Sequence, residues 1–312
     1  MIQYNNAKFI LIIFTALCLN ACSTISARQA LNNQDKMNIQ SNRILLNSTQ
    51  REIVMKHNNW FNSNLPDPYA PMDGGAIVHR NHADRPLNLM SDLLVTGIQY
   101  NQASTTLSSM ASVRIILEDF NFLDYFNTEL HNTVAKLPWL KVQKQEIKYN
   151  LNGTESDIVA ASNDNTTLFI GTTYALSSTF RQLEVVAYVK LVQKSIGNQE
   201  PRTLYANNFV FINRLPEPNK VANENKEYWV KNNGAMLKAK LRDAASLLSS
   251  MIAMDIGNTN VEAYATNTPI TLRYLLGVKT KGNLIKQQNG YYIIVLNNKE
   301  VYAVNSDDII NS

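Results

Sequence analysis

With 45% hydrophobic side chains over 312 residues, the chain can bury about three-quarters of its unfolded surface without crosslinks. Its 29 Lys and Arg face 25 Asp and Glu, a net charge of only +4, and the cations are scattered among Asn, Gln and Glu, which is not the clustered pattern of a nucleic-acid-binding domain. The two cysteines, Cys18 and Cys22, both stand at the end of the first apolar run, so the body of the chain offers no disulfide framework, redox pair or thiol nucleophile.

That first run has a short polar start with one cation at Lys8, an apolar stretch from Phe9 to Leu19, and small residues before Cys22. This is the layout of a signal peptide, and a secretory peptide with an incidental cysteine shares it. A spanning helix needs about 20 apolar residues, and Asn20, Ser23 and Thr24 end the run too early. Leu19, Asn20, Ala21 and Cys22 resemble the lipobox of bacterial lipoproteins. The resemblance implies cleavage before Cys22, a diacylglycerol on its thiol and attachment to a membrane through that lipid. Ser23 in place of an aspartate then implies the periplasmic face of an outer membrane. Loss of residues 1–21 removes Lys8 alone among the charged residues, so the mature chain stays nearly neutral.

In chain order, residues 22–42 are polar and rich in Asn and Gln and read as a tether. Residues 43–109 read as a mixed region: Ile44 to Trp60 is a candidate helix, and Asn62 to Asp92 is a loop broken by Pro66, Pro68, Pro71, Gly74, Gly75 and Pro86. From Met110 to Leu137, apolar residues at spacings of three and four (Val113, Ile116, Leu117, Phe120, Leu123, Leu130, Val134) predict one long amphipathic helix. Pro138 ends it, and Trp139 to Tyr149 reads as a polar edge strand. Thr167–Tyr174, Arg181–Gln193 and Thr203–Asn213 read as strands, with Leu183, Val185, Ala187, Val189 and Leu191 on one buried face and a turn at Gly197 and Asn198. Asn232 to Ile256 returns to helical spacing through Leu237, Leu241, Ala244, Leu248, Met251 and Ile252.

The expected fold class is α+β, an antiparallel sheet with long amphipathic helices on one face over 110–256. The tail, 268–312, reads as a small separate β module, SH3-like or hairpin-based, from short β runs broken by Gly277, Gly282, Gly290 and Asn297–Asn298. LFIGTTY at 168–174, EVVAYVKLV at 184–192, LYANNFVFI at 204–212 and LKAKLRDAASLLSSMIAMDI at 237–256 resemble the small α/β domain of the TolB N-terminal part and of the envelope lipoproteins LpoB and CsgG. That resemblance implies a binding or scaffolding component of a cell-envelope assembly with a protein partner.

Chemical candidates are few. His79, His82 and Asp84 in HRNHAD could meet a zinc ion if their loop curled, but no HExxH or further ligand accompanies them, and solvated loop histidines are the plainer reading. They carry the alternative function, a metal-dependent hydrolase acting on cell-wall or envelope substrates; otherwise no cofactor is expected. His131 borders the predicted helix stripe and reads as half-packed. Neither GxSxG nor SxxK occurs. Tyr188, Tyr205, Phe209 and Phe211 could form an exposed stripe, although sheet aromatics are more often core.

Overall fold

The computed structural model describes residues 28–48, 52–56, 109–149, 154–195, 200–216, 221–258, 268–273, 279–306 and 309–310. The described helices are α1 (Asn33–Met37), α2 (109–116), α3 (Phe122–Asn132), α4 (Glu155–Ala160) and α5 (Ala222–Gly257). The strands are β1 (Asn42–Ser48), β2 (Val54–Lys56), β3 (Val142–Tyr149), β4 (Thr166–Ser177), β5 (Gln182–Gln193), β6 (Arg202–Arg214), β7 (Pro269–Arg273), β8 (Lys279–Gln288), β9 (Tyr291–Leu296), β10 (Val301–Asn305) and β11 (Ile309–Ile310).

The α+β class holds, but the sheet is mixed rather than antiparallel. Its order is β11-β7-β8-β9-β10-β6-β5-β4-β1-β3, with β2 against β4 in line with β1. β4, β5 and β6 form the expected antiparallel meander. β1 runs parallel to both β3 and β4, β2 runs parallel to β4, and β10 runs parallel to β6. The cause lies in residues 44–48, where a helix was expected. Ile44, Leu45 and Leu46 are all fully buried, because α4 covers one face of β1 through Val159 and the larger helices cover the other. A strand buried on both faces is a continuous apolar run without alternation.

β5 presents the expected core face, with Leu183, Val185, Ala187, Val189 and Leu191 buried in the main core; its opposite face is mixed, with Tyr188 49% exposed but Glu184 and Val192 buried. β3 is an edge strand, as its polar sequence predicts. The long helix expected over 110–137 is instead broken. α2 stops at 116, residues 117–119 turn, and the Asn121 side chain accepts the Leu123 N–H to start α3. Thr133 ends α3, and two 3-10 turns, Val134–Lys136 and Pro138–Leu140, lead into β3.

α5 is also interrupted. Lys231 is extended, and Asn232, Asn233 and Gly234 are left-handed, with φ of 54°, 56° and 69°, a conformation these residue types tolerate best. An arm, 222–230, therefore precedes the main rod, 235–257. The arm precedes the helix expected from Asn232, and its Trp229 is fully buried and donates its indole N–H to the Phe180 carbonyl at 2.7 Å. A Cβ on Gly234 would lie 2.4 Å from Ile116 Cδ1, so the break is also a point of close approach between α5 and α2.

Two expected boundaries move. Of the stretch read as a tether, residues 28–41 pack on the body: Leu31 and Ile39 are buried, and Gln29 pairs its backbone with Ala206. The tail does not stand apart, since β10 lies against β6 in the same sheet, and Tyr291, Ile293, Val295, Val301 and Ala303 join the main core beneath α5.

Candidate functional site

Two constructions stand out, at opposite ends of the sheet. At the end marked by the start of β4, the carboxylate of Asp255 is wholly buried near the end of α5. Arg28 Nε donates to its two oxygens at 3.0 and 3.1 Å. The Arg28 guanidinium also donates to the carbonyls of Asp255 and Asn258, at 3.3 and 2.6 Å. Tyr205 Oη donates to Asp255 Oδ2, and Asn207 Nδ2 does so at 3.0 Å while also bonding the Lys299 carbonyl at 3.2 Å. One carboxylate thus joins the N-terminal segment, α5 and β6, and Asn207 extends the link to the β9–β10 turn. A buried ion pair of this kind fixes geometry more than it adds stability. Its signal in the sequence is Asp255 itself, four residues after Met251 and seven after Leu248, on the apolar stripe of the helix.

At the other end a groove of about 780 Å³ opens between α2, the turn before α3, the end of β3 and β4. Ile53, Ile115, Leu117, Phe120, Leu123, Tyr149 and Tyr174 give it an apolar wall, and Glu52, Arg114, Glu118, Asp119 and Asn121 give it a polar rim. It lies where the described chain stops at Lys56 and resumes at residue 109. Arg114 Nε sits 3.0 Å from Glu52. Asn121 Nδ2 donates to Tyr149 Oη at 3.2 Å, and Lys238 Nζ donates to Asp119 at 2.7 Å. That last bond holds the exposed Asp119 below the ordinary carboxylate range. Phe120 stacks on Tyr125 at 4.8 Å, and the Arg242 guanidinium lies over both rings. Burial, with smaller contributions from Glu52 and Tyr149, pushes the Tyr174 hydroxyl up to about 12, too high for proton transfer near neutral pH.

Ile115 is 68% exposed and Tyr149 42% exposed on the rim. The groove can therefore hold an apolar side chain and steer its flanks by charge, which is the composition of a recognition surface. The broken helix that forms it was hidden, because Phe120 and Leu123 continue the spacing of α2 across the turn.

Cys22, His57, His79, His82, Asp84, Gly197, Asn198, Asp307 and Asp308 lie outside the described residues. His131 is exposed on the last turn of α3 rather than half-packed. Tyr205, Phe209 and Phe211 are core, leaving Tyr188 as the exposed member of that aromatic set. Among the described residues no group of three or more His, Cys, Asp or Glu is placed to hold a metal, and no helix is long and apolar enough to cross a membrane. No protein-family model, curated protein or solved structure matches the chain.

Proposed function

We propose that the protein is a lipoprotein anchored through Cys22 to the periplasmic face of an outer membrane, serving as a binding or scaffolding component of an envelope assembly. The observation that carries this is the sequence Leu19-Asn20-Ala21-Cys22 closing a short apolar run. The resemblance of 110–256 to envelope lipoprotein domains supports it, and the groove at Ile115, Phe120 and Tyr149 supplies a surface for a partner segment with an exposed apolar side chain. No described residue favours the alternative hydrolase reading; zinc analysis of the native protein, repeated after His79→Ala with His82→Ala, decides it.

The anchor is tested by Cys22→Ser, which is expected to move a folded protein from the membrane fraction to the soluble fraction. Retention of the variant after a high-salt wash would sink the anchor. Photo-crosslinking residues placed at Ile115 and Tyr149 in intact cells test the groove, with an adduct to another protein expected. Crosslinks only within the chain itself, or none, would mean that the groove is not the partner's site.

A further inference from the structure

We propose that the groove takes an extended segment of the partner protein as an added strand along the outer edge of β2, in line with β3. That segment places an apolar side chain in the groove and a Lys or Arg beside it. The inference rests on the reading of the groove as a partner's site, and adds to it the partner's backbone form and charge.

Its basis is a notch in the sheet. β5 lies against β4 along Thr166–Leu176, so β1 and β2, which both pair with β4, share its other side. β3 covers the outer edge of β1 and ends at Tyr149, opposite Ser48. β2 continues past that point, against Ala175–Ser177, and among the described residues no strand lies on its outer edge. A strand running on from β3 would fill the notch.

The backbone groups open to such a strand belong to Met55. In a parallel ladder successive residues turn their N–H and C=O groups to opposite sides. Thr166 N–H bonds the Ser41 carbonyl, so the even-numbered residues of β4 turn toward β1 and β2. Leu176, opposite Met55, therefore bonds Val54 and Lys56, and the N–H and C=O of Met55 turn outward into the notch. Met55 is only 8% exposed. Shielded main-chain groups on an uncovered edge are a template for an incoming chain.

The side chains around the notch agree with its backbone. Ile53 and Met55 belong to the main core, and Ile53 lines the groove with Leu117, Phe120 and Tyr149. An added strand alternates its side chains between the two faces of the sheet, so one of them enters this apolar wall. The charges on the lining are Glu52, Arg114, Glu118 and Asp119. Glu52 and Asp119 are 63% and 72% exposed at their side chains, whereas Arg114 is 18% exposed and paired with Glu52. Glu118 is exposed as well. The open charge is acidic, and a basic side chain on the partner complements it. Main-chain bonds at Met55 fix the register, and the apolar wall selects the side chain.

The first test compares, in intact cells, the partner adduct formed from a photo-crosslinking residue at Ile115 in two variants. Met55→Ala keeps the outward N–H, and Met55→Pro removes it while sparing the bonds to β4. The adduct is expected to survive Met55→Ala and to fall several-fold in Met55→Pro. Equal adducts in the two variants would overturn strand addition and leave the groove as a partner's site. No adduct from the parent chain would overturn that reading, and the inference with it. Should Met55→Pro unfold, the purified parent protein decides, with a short probe peptide of alternating Thr and Val around a central Leu flanked by Lys. The peptide is expected to slow hydrogen exchange at the Met55 amide, and its backbone N-methylated form to bind several-fold more weakly. Replacement of its Lys by Glu should weaken it likewise. Equal binding of the methylated form, or no binding by any of these peptides, would overturn strand addition, and equal binding of the Glu form would overturn the basic flank.

Discussion

Arg28 and Asp255 lie 227 residues apart in sequence, and their pairing converts part of a polar leader into a fixed piece of the body. The two partners are not equivalent. Arg28 lies at the start of the described residues on no helix or strand and could swing to water, whereas Asp255 is fixed on α5 with no exposure. Arg28→Ala should therefore leave a buried carboxylate without its cation, costing about 3–5 kcal/mol in denaturant unfolding. Arg28→Lys should recover part of this, since an ammonium cannot reproduce the guanidinium's reach to both carboxylate and carbonyls. A loss below about 1 kcal/mol would show the carboxylate hydrated rather than clamped. Tyr174 makes a second residue-scale prediction. Its hydroxyl, held at about 12 by burial, keeps its proton between about pH 10 and pH 12, where an unfolded tyrosine has lost it. That contribution to stability is whole below about pH 10 and is lost as pH rises to about 12, roughly 2–3 kcal/mol in all. Tyr174→Phe should flatten the alkaline fall in stability by that amount, and parallel curves would refute the burial of the hydroxyl. Of these groups only Asp255 leaves a trace in the sequence, as a carboxylate on an apolar stripe, and it was not singled out from the sequence. Nothing local in Arg28, among Ala, Gln and Asn, distinguishes it from a tether residue.

The elements differ in how much of them could be read in advance. β5 could along its centre, where Val185, Ala187, Val189 and Leu191 face the core and Tyr188 between them stays exposed, whereas Glu184 and Val192 on the second face are buried as well. β1 could not, because helices cover both faces of Ile44, Leu45 and Leu46 and erase the period that separates strand from helix. α5 was legible along 237–256, and Leu241→Ala or Leu248→Ala, both fully buried, should each cost about 2–5 kcal/mol. Lys240 stands off the stripe and would pass for a solvated residue, yet its ammonium bonds Tyr291 Oη at 3.0 Å and Asp243 at 3.1 Å. Lys240→Ala should cost about 1 kcal/mol, and the measured order of the three variants checks this. The break in α5 gives a sharper test. Gly234→Ala meets a left-handed backbone, worth about 1–2 kcal/mol, and an overlap with Ile116, worth about 1–3 kcal/mol. In an Ile116→Ala background the overlap with Cδ1 and Cγ1 is gone, and chiefly the backbone cost should remain. The two substitutions should thus couple by about 1 kcal/mol or more; simple additivity would mean that α2 and α5 do not touch at this point.

For the whole molecule the question is whether the tail is an appendage or part of one cooperative body. The polar stretch after Gly257, and the short β runs beyond it, read as a boundary followed by a module at 268–312. The sheet argues otherwise, because Val301–Val304 pair with Phe209–Ile212 in parallel register, covering the edge of β6. On one face of that seam Tyr291, Ile293, Val295 and Ala303 share the main core with Leu241 and Leu248 of α5. On the other, Val210 and Ile212 form a second cluster with Ile294, Tyr302 and Val304. Tyr291 ties the seam further, accepting from Lys240 and donating to Asn213 at 3.1 Å. Opening the tail alone would expose both clusters and a row of β6 backbone groups, so separate opening should be nearly as costly as global unfolding. Native-state hydrogen exchange is therefore expected to give the most protected amides of β9 and of β5 the same opening free energy and the same denaturant dependence. A chain ending at residue 267 should lose the native unfolding transition and aggregate through the bared edge of β6. If β9 instead exchanges through an opening several kcal/mol below that of β5, or the shortened chain melts like the parent, then the tail is a docked module and the seam is a contact between two folding units.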